Sequence, residues 1–452
     1  MKNIIKYSWI LLLLIVSSCK KDEKFSFDEK PNVRIQKTLD AFQKALVNND
    51  GWIANIYTKA STGQAYSFYF QFKDNGRVVM MSDIDSITST VPKESSYRLK
   101  WLEQPTLIFD TYNYIHRLAD PMPDNQGGSA GVGGTPGQGL ISDFEFGLTA
   151  EAVIALNSDP NVQSFTTIGR YNSVPVTFTR ATTAEASYWK NGEINKEMKG
   201  ISALVKNNPY LYASTDDGNK IQFSFDFVNK QLSENLAVNN TISSGTTPFV
   251  FGVNNLSLRD SVNVNGNLTT MITWENQQLF AVLNGKKSLI KSSDVPIIPI
   301  LLLFGKGFKT ITIPNATTYP GWSDDYVARR AQAALAIKTG GYNLDLGKML
   351  HAFNPNDSTL LITVDIPQNG TLYLATFPYK YNLSSDGKFK FTPLPGYNGN
   401  AGLIIGNLAP LFAERFDVDT FTLQYYAAPD GRVLAQFTSI DHPDYSFTGT
   451  YQ

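Results

Sequence analysis

The sequence predicts a β-rich (α+β) protein, in which antiparallel meander sheets form a lipocalin-like barrel or a sandwich and a few helices pack against them. Composition is the first indication, because aromatic residues make up 12% and charged residues only 17% of the 452 residues, as in many β-rich extracellular proteins. The second is the alternation of apolar and polar residues along short segments, the pattern of strands with one buried face. The third is the set of Asn-Gly and Asp-Gly turns between them, since these residues accept positive φ.

An amphipathic helix opens the predicted fold. Ile35, Leu39, Phe42 and Leu46 follow one another at spacings of four, three and four residues, which places them on one helix face. Strands are then predicted at 52–58, 66–73, 77–82, 97–102 and 106–110. A helix followed by a Gly-Trp pair at 51–52 and an aromatic meander is similar in outline to lipocalin-like domains, which are up-and-down barrels.

The rest of the chain repeats this alternation of helices and strands. A second helix is predicted within 184–208, and a third from an N-cap at Ser323 to Ile337. The apolar segment 295–304 is expected to be a buried strand, and 403–412 a short apolar helix. Further strands are predicted at 221–227, 360–366, 371–377, 388–392, 421–427 and 432–440. A helix followed by an aromatic hairpin occurs twice, which either a faint duplication or chance recurrence explains.

The first two dozen residues resemble the leader of a bacterial lipoprotein. Lys2 and Lys6 precede an apolar run at 9–16, and two serines precede Cys19, as in a signal peptide that ends in a lipobox. The Cys19 thiol would be diacylated and would hold the mature protein in the membrane; the alternative is an ordinary secreted leader with a free thiol. We expect a signal peptide at 1–18, a lipidated tether at 19–30, a helix-plus-meander domain at 31–206 and a C-terminal β-rich domain at 207–452.

A short charged motif follows the cysteine. Lys21, Asp22 and Glu23 resemble the acidic export signal that sends lipoproteins of Bacteroidetes-type bacteria to the outer face of the outer membrane. The alternative is a solvated tether beside the lipid anchor. On the first interpretation, we expect a lipid-anchored protein of the outer membrane that faces the cell exterior.

Charge and residue counts argue against several classes of function. The formal net charge is −1, and it falls to about −3 once the leader with Lys2 and Lys6 is removed, so that nothing favours nucleic acid as a partner. Three histidines in the chain make a histidine-built metal site unexpected, and no motif indicates a cofactor. The glycine-rich segment 127–139 is expected to be a surface loop, because it lacks the strand, helix and Lys-Ser pair of a phosphate-binding loop.

Several motifs between residues 96 and 146 resemble a known family. They are Ser-Tyr-Arg-Leu-Lys at 96–100, the segment 105–113, His116, Asp-Pro at 120–121 and Ser-Asp-Phe-Glu-Phe at 142–146. In these motifs the sequence is similar to an uncharacterised domain family of Bacteroidetes outer-membrane lipoproteins. Members of that family tend to be encoded beside starch-utilisation-type receptor pairs and predicted zinc metallopeptidases. The family has no established activity, so the resemblance implies a setting and no mechanism.

The same segment contains the candidates for a polar site, which are Asp110, His116, Asp143 and Glu145. Asp143 and Glu145 are two residues apart, so in a strand both carboxylates point to the same side. They would then be too close for a glycosidase pair, unless one of them pairs with a distant acid. The alternative is that Asp110 and Asp143 bind turn backbone and His116 is a structural hydrogen-bond donor.

The function we expect is the binding of an extracellular ligand, a glycan or a peptide, as an accessory to an outer-membrane uptake system. Aromatic residues in loops, such as Tyr319, Trp322 and Tyr397, are candidates for the binding surface, whereas Phe68 and Phe70 alternate as core residues do. Two alternatives remain open, a hydrolase with a carboxylate site that matches no motif and a structural partner of a receptor complex. No catalytic residue is identified, because neither a Gly-x-Ser-x-Gly nor a His-Glu-x-x-His motif is present.

Three Asp-Ser motifs resemble the O-glycosylation acceptor of exported proteins in this bacterial group. The acceptors are Ser86, Ser261 and Ser358, each between an aspartate and an aliphatic residue or threonine. The alternative is that these serines are ordinary turn or strand-edge residues whose side chains bond nearby backbone.

Replacement of Cys19 by alanine is expected to release the protein from the membrane. The apolar run of the leader is too short to cross the hydrocarbon core, and the most apolar later segment, 295–304, has ten residues and contains two prolines. Cell fractionation should therefore recover Cys19→Ala in the soluble fraction, and the tether variant Ser26→Ala, which keeps the cysteine, in the membrane pellet. Recovery of Cys19→Ala in the pellet would contradict the lipoprotein interpretation.

Overall fold

The protein is β-rich, as the sequence predicts. The computed structural model describes residues 29–59, 63–121 and 139–452. Strands account for 44% and helices for 21% of the residues, which confirms the α+β class. Four predicted lipidation and export residues lie outside the described residues: Cys19, Lys21, Asp22 and Glu23. The glycine-rich segment also lies outside them, except for Gly139.

The chain divides into two compact units between Glu193 and Ile194. The strands of the first unit are β1 (Trp52–Tyr57), β2 (Ala65–Phe72), β3 (Arg77–Ser82), β4 (Lys93–Leu102), β5 (Gln104–Phe109), β6 (Glu145–Leu148), β7 (Ser164–Gly169) and β8 (Pro175–Arg180). Its helices are α1 (Pro31–Leu46), α2 (Tyr114–Arg117), α3 (Ala150–Ser158) and α4 (Thr183–Lys190). The eight strands pair antiparallel in chain order, and β8 pairs with β1 to close a barrel.

Aromatic side chains fill the first barrel. Phe68 and Phe70 of β2 are buried, which confirms their prediction as core residues. Phe72 of the same strand is buried too. Phe70 stacks on Phe109 of β5 with ring centroids 5.3 Å apart and lies 5.7 Å from Phe178 of β8. The rings thus connect strands from different parts of the barrel, and each adds a large buried apolar area to the core.

The predicted first helix packs on this core at its C-terminal end. Phe42 and Leu46 are buried, and Trp52 donates its indole N–H to the carbonyl of Leu46 over 3.0 Å. Gly51 lies between the helix and β1 with φ at 81°, and a Cβ there would be 2.5 Å from the Phe70 carbonyl oxygen. Only glycine fits this backbone and this close approach.

The second unit contains all of α5 (Glu193–Asn207) except its first residue, followed by a nine-stranded antiparallel sheet. Its strands are β9 (Tyr210–Ser214), β10 (Lys220–Asp226), β11 (Gln231–Val238), β12 (Thr241–Gly252), β13 (Asn255–Val264), β14 (Asn267–Glu275), β15 (Gln278–Leu283), β16 (Lys286–Leu289) and β17 (Lys291–Ser293). β9 to β16 pair in chain order, and β17 returns to the edge beside β9. Asparagines with positive φ occupy its tight turns, namely Asn239, Asn240, Asn265, Asn276 and Asn284.

A second closed barrel completes this unit. Its strands are β18 (Thr310–Ile313), β19 (Met349–Asn354), β20 (Thr359–Gln368), β21 (Thr371–Leu383), β22 (Lys388–Pro393), β23 (Thr420–Ala427), β24 (Val433–Ser439) and β25 (Ser446–Tyr451). Its helices are α6 (Ile300–Leu303), α7 (Asp324–Thr339), α8 (Gly399–Ile404) and a π-helix, Phe412–Phe416. β25 pairs with β18 to close the barrel. Ser323 caps α7 as predicted, since its hydroxyl accepts the Tyr326 N–H at 3.2 Å.

Two predicted elements are wrong. Segment 295–304 contains no strand but ends in the short helix α6, because Pro296 and Pro299 lack the N–H groups that a buried strand needs. Segment 403–412 is not one helix, since α8 ends at Ile404 and turns follow up to the π-helix. A glycine and a proline inside that segment disfavour a continuous helix.

Within the described ranges, no helix combines the length and the apolar character that crossing a membrane requires.

A buried carboxyl group lies in the nine-stranded sheet. Glu234 of β11 is fully buried, and its Oε2 accepts a hydrogen bond from Thr269 Oγ1 at 2.8 Å. Its Oε1 has no hydrogen-bond partner among the described residues. Burial raises the pKa of Glu234 to about 7, against the opposing effect of the Thr269 hydrogen bond.

This raised pKa predicts that the protein loses stability as the pH rises. Glu234 keeps its proton in the folded state up to a pH of about 7, whereas the unfolded state releases it near pH 4.5. The contribution of this proton to the free energy of unfolding is therefore fully present below pH 4.5 and is lost as the pH rises through about 7. The expected loss is on the order of 3 kcal/mol. Glu234→Gln should abolish most of the difference between urea midpoints at pH 5 and pH 8. Glu275→Gln, an exposed change in the same sheet, should keep it, and a Glu234→Gln protein that also kept it would contradict the prediction.

Candidate functional site

The predicted polar site consists of residues that bind the protein itself. Asp143 is buried, and its Oδ1 accepts the backbone N–H groups of Tyr171 at 2.6 Å and Asn172 at 3.3 Å. The carboxylate therefore holds the turn between β7 and β8. Glu145 lies 3.6 Å from Arg170 in an ion pair. Both carboxylates thus have structural contacts, as the alternative interpretation of Asp143 expects.

His116 and Asp110 also have partners nearby. The Nδ1 of His116 accepts the N–H of Asn113 at 3.1 Å, and its Nε2 lies 3.1 Å from the Phe109 carbonyl oxygen. Burial lowers the pKa of His116, which favours the neutral imidazole that these two contacts need. Asp110 pairs with Arg98 at 2.6 Å. The four residues lie in one region of the first barrel, where their polar groups stabilise a short helix and strand ends.

The three predicted acceptor serines differ in their surroundings. Ser261 is exposed within β13, Ser86 is half-buried in the loop after β3, and Ser358 is half-buried in the turn before β20 with φ at 57°. The aspartate before Ser86 is buried and binds Arg117 at 2.8 Å. Their modification stays a prediction.

Of the three loop aromatics, Tyr397 is the most exposed. Trp322 is buried and donates its indole N–H to the Thr448 carbonyl at 3.0 Å. Tyr319 is half-buried and accepts a hydrogen bond from Arg432 at 2.7 Å. Tyr397 is 48% exposed and lines a pocket in the surface of the second barrel.

This pocket, which we call the Tyr397 pocket, has a volume of about 160 Å³. Its walls come from β21, the end of β22 and the loop that follows, the residue after α8, and the π-helix with its C-terminal turn. The lining residues are Phe377, Pro378, Tyr379, Pro393, Leu394, Tyr397, Ile405, Phe412, Ala413 and Asp417. Apolar walls with few polar groups are typical of ligand sites, and π-helical turns frequently occur at functional sites.

Asp417 supplies the acidic group of the Tyr397 pocket. Its Oδ1 accepts the Tyr379 hydroxyl proton at 2.9 Å, whereas its Oδ2 makes no hydrogen bond with a described residue. Burial raises the pKa of Asp417, and burial together with this carboxylate raises the pKa of Tyr379. The pocket thus presents one oriented hydrogen-bond acceptor beside an apolar wall.

An aspartate–histidine pair lies next to the pocket in sequence. Asp419 is buried, its Oδ1 lies 3.0 Å from His442 Nδ1 and its Oδ2 accepts the Ser439 hydroxyl at 2.8 Å. The His442 side chain is 43% exposed, and its Nε2 has no partner among the described residues. A buried carboxylate on Nδ1 with a free Nε2 is the arrangement of a general base. Ser439 donates to the aspartate, so it is not placed as a nucleophile.

Sequence reasoning missed Asp417, Asp419 and His442. Asp419 and His442 are separated by 23 residues, and Tyr379 and Asp417 by 38 residues. No spacing rule connects such pairs, since the barrel brings them together. The exposed tyrosine at 397 was the only part of the site that the sequence indicated.

A larger groove of about 760 Å³ runs along α7. Arg330 lines it, but its guanidinium donates to the carbonyls of Ala316 at 3.2 Å and Gly347 at 2.8 Å. Lys338 and Asp345 form an ion pair there at 2.7 Å. Lys338 and Asp345 neutralise each other, and carbonyl groups hold the Arg330 guanidinium, of which only Nη1 lacks a partner among the described residues. The Tyr397 pocket is therefore the better candidate. No group of three or more His, Cys, Asp or Glu side chains within the described ranges is placed to hold a metal ion.

Residues 22–276 match the sequence model of a family described as a domain of unknown function, DUF4302. The chain belongs to this family. The DUF4302 region includes the whole first barrel and most of the nine-stranded sheet, and with them the predicted polar site. The Tyr397 pocket and the Asp419–His442 pair follow the matched residues.

Other comparisons add no function. No curated protein matches the sequence. Among solved structures, a DNA polymerase sliding clamp from Pseudomonas aeruginosa is 8% identical with a TM-score of 0.13, over 93% of this chain and 96% of that one. A protein from Eubacterium rectale described as a DNA polymerase III beta subunit gives 8% identity and a TM-score of 0.13, over 93% and 97%. Such scores support no argument about this DUF4302 protein.

Proposed function

We propose that this DUF4302 protein is a lipid-anchored protein of the outer membrane of a Bacteroidetes-type bacterium, facing the cell exterior, that binds an extracellular peptide as an accessory to an uptake system. The leader with Cys19 and the motif of Lys21, Asp22 and Glu23 support the location. The Tyr397 pocket supports binding, and it carries the proposal.

The lining of the pocket favours a peptide over a glycan. Two prolines, a leucine, an isoleucine and two phenylalanines surround Asp417, so that an apolar side chain fits the walls. The free Oδ2 of Asp417 is then available to accept a backbone N–H of the ligand. A sugar ring would stack on Tyr397 but would leave most of its hydroxyl groups against apolar surface, which costs free energy.

A sheet edge beside the pocket supports the same conclusion. β22 pairs with β21 only between Tyr379 and Leu383, so the preceding residues of β21 have no strand partner on that side among the described strands. Asn398 and Asn400 cover this edge at Leu374 and Thr376, because the Asn398 Oδ1 accepts the Thr376 N–H at 3.1 Å and both side-chain amides donate to the Leu374 carbonyl. Only the residues of β21 before Leu374 are left uncovered by the described residues. Leu372 is 56% exposed beyond it. Exposed edges with apolar side chains bind extended peptides as an added strand.

Loss of the Tyr397 ring is expected to weaken peptide binding by about tenfold or more. An aromatic contact is worth about 0.5–1.5 kcal/mol beyond the apolar area that it buries, and 1.4 kcal/mol is about tenfold in affinity. Tyr397→Ala and Asp417→Asn should both weaken binding to the best peptides of a synthetic decapeptide array. Affinities would be measured by calorimetry, with an oligosaccharide array assayed in parallel.

The matched control for this experiment is Tyr342→Ala, which removes an exposed tyrosine of the same unit outside the pocket. This control should bind as the native chain does. Equal affinity of Tyr397→Ala and Tyr342→Ala would exclude the pocket as the site. Oligosaccharide binding that depends on Tyr397 would identify a glycan ligand instead.

Hydrolysis is a second candidate function, favoured by the Asp419–His442 pair. Asp419 follows the pocket residue Asp417 by two positions, so their Cα atoms are at most about 7 Å apart. The free Nε2 of His442 can take a proton from a water molecule that attacks a bound ester or amide, while Asp419 stabilises the imidazolium that forms. In this scheme the Tyr397 pocket holds the substrate.

The ester p-nitrophenyl acetate tests this second candidate. Removal of a general base costs about 10²–10⁴-fold in rate, so His442→Gln should lower kcat by that factor. Asp419→Asn should also lower it, because the amide no longer fixes the imidazole tautomer. Asp444→Asn, an exposed change two residues after His442, is the control. A native rate no higher than that of His442→Gln would exclude the general base.

A further inference from the structure

A small cavity lies inside the second barrel behind the Tyr397 pocket. Its volume is about 10 Å³, about that needed for one water molecule. Tyr326, His351, Phe412, Phe416 and Tyr445 contribute to its lining. It is therefore a small space between an imidazole, two phenols and aromatic rings in the barrel core.

The imidazole at this cavity has no internal partner. His351 of β19 is 2% exposed, and neither ring nitrogen makes a hydrogen bond with a described residue. Its Nδ1 is fully shielded from solvent. Burial lowers the pKa of His351 to about 3, so the ring is neutral and offers one donor and one acceptor. An unsatisfied buried polar group lowers the stability of the fold, which favours a role for this imidazole beyond packing.

The phenol of Tyr326 is the second unsatisfied group. Its hydroxyl lies near enough to Arg330 for the cation to lower its pKa, although burial dominates and raises that pKa to about 12. The Tyr326 oxygen and the Arg330 Nη1 both lack a partner in good hydrogen-bond geometry among the described residues, and their interaction is a weak polar contact. Two polar groups thus remain available at one cavity.

One side chain is shared by this cavity and the Tyr397 pocket. Phe412 lines both the cavity and the Tyr397 pocket. On the pocket side its ring contacts Phe377 edge-on with centroids 5.2 Å apart, and it lies 6.3 Å from Phe416. The Phe416 ring in turn lies 5.6 Å from His351. Phe412 belongs to the π-helix, so the partition is part of an irregular segment and not of a strand.

We propose that the Tyr397 pocket continues into the barrel when the Phe412 ring moves aside, and that the joined site binds the side chain of a tyrosine. The phenol ring of the ligand would lie among aromatic walls, and its hydroxyl would hydrogen-bond to His351 and Tyr326. This inference rests on the proposed peptide-binding function and names the residue that the pocket selects. The inference also explains why the core contains the His351 imidazole, which has no hydrogen-bond partner among the described residues.

A pair of small probes tests this selection, N-acetyl-tyrosine amide and N-acetyl-phenylalanine amide, which differ by one hydroxyl group. The purified full chain should bind the tyrosine probe about 3–10-fold more tightly, as one or two buried neutral hydrogen bonds imply. The chain has three histidines, so the ring signal of His351 can be assigned by NMR through substitution of each. This signal should shift when the tyrosine probe binds.

Three variants separate the roles of the side chains. His351→Phe and Tyr326→Phe, which keep an aromatic ring in the core, should bind both probes with nearly equal affinity. Phe412→Ala should bind both probes more tightly than the native chain and keep the preference for tyrosine, because no ring has to move. Circular dichroism would establish that each variant is folded.

The outcomes distinguish this inference from the proposed function. Probe binding that depends on Tyr397 but neither shifts the His351 signal nor prefers tyrosine would overturn the inference and leave peptide binding at the surface intact. If neither probe binds even to Phe412→Ala, the joined site does not exist. Binding of decapeptides without tyrosine as tightly as those with it would also overturn the inference.

Discussion

Closure of two eight-stranded sheets is the constraint on which the rest of the structure depends. The pairing of β8 with β1 and of β25 with β18 gives each barrel an interior that side chains have to fill. Phenylalanine rings fill most of it, which accounts for the aromatic composition of the chain. Since such an interior is close-packed, a polar group inside it or a gap in strand pairing needs a compensating contact. Among the described residues, such contacts are missing at His351, and they replace strand pairing only in part along β21 beside the Tyr397 pocket. The candidate sites lie at these two places.

The local elements were predictable because their causes are local. The spacing of Phe42 and Leu46 predicts the buried side of α1, and the hydroxyl of Ser323 predicts the start of α7. Hydropathy misled at 295–304, where the missing N–H groups of Pro296 and Pro299 outweigh the apolar character. Barrel closure could not be predicted from the spacing of residues, because it pairs Trp52 with Arg180, which lies far away in the sequence. It follows from the sheet as a whole.

The candidate site was less predictable than the fold for the same reason. Asp143 and His116 stand in motif-rich sequence, yet their contacts are with the backbone of turns and a helix end. The Tyr379–Asp417 and Asp419–His442 contacts join separate strands and turns, so no local pattern marks them. Tyr397 could be found because an aromatic residue in a loop is a recognisable signal. The family resemblance could not help, because the DUF4302 match ends at residue 276.

One buried ionisable group of the second barrel lacks, among the described residues, the partners that other such groups have. In the first barrel, Asp83 accepts the Ser67 N–H at 2.8 Å, and Asp85 binds Arg117 at the same distance. In the second barrel, His351 has no such partner. Both cores are otherwise filled with aromatic rings, so general packing does not explain the difference. An unsatisfied imidazole at a cavity, one ring away from a surface pocket, is better explained by a group that comes from outside the chain. We therefore propose that ligand recognition lies in the second barrel, which follows the residues of the DUF4302 match.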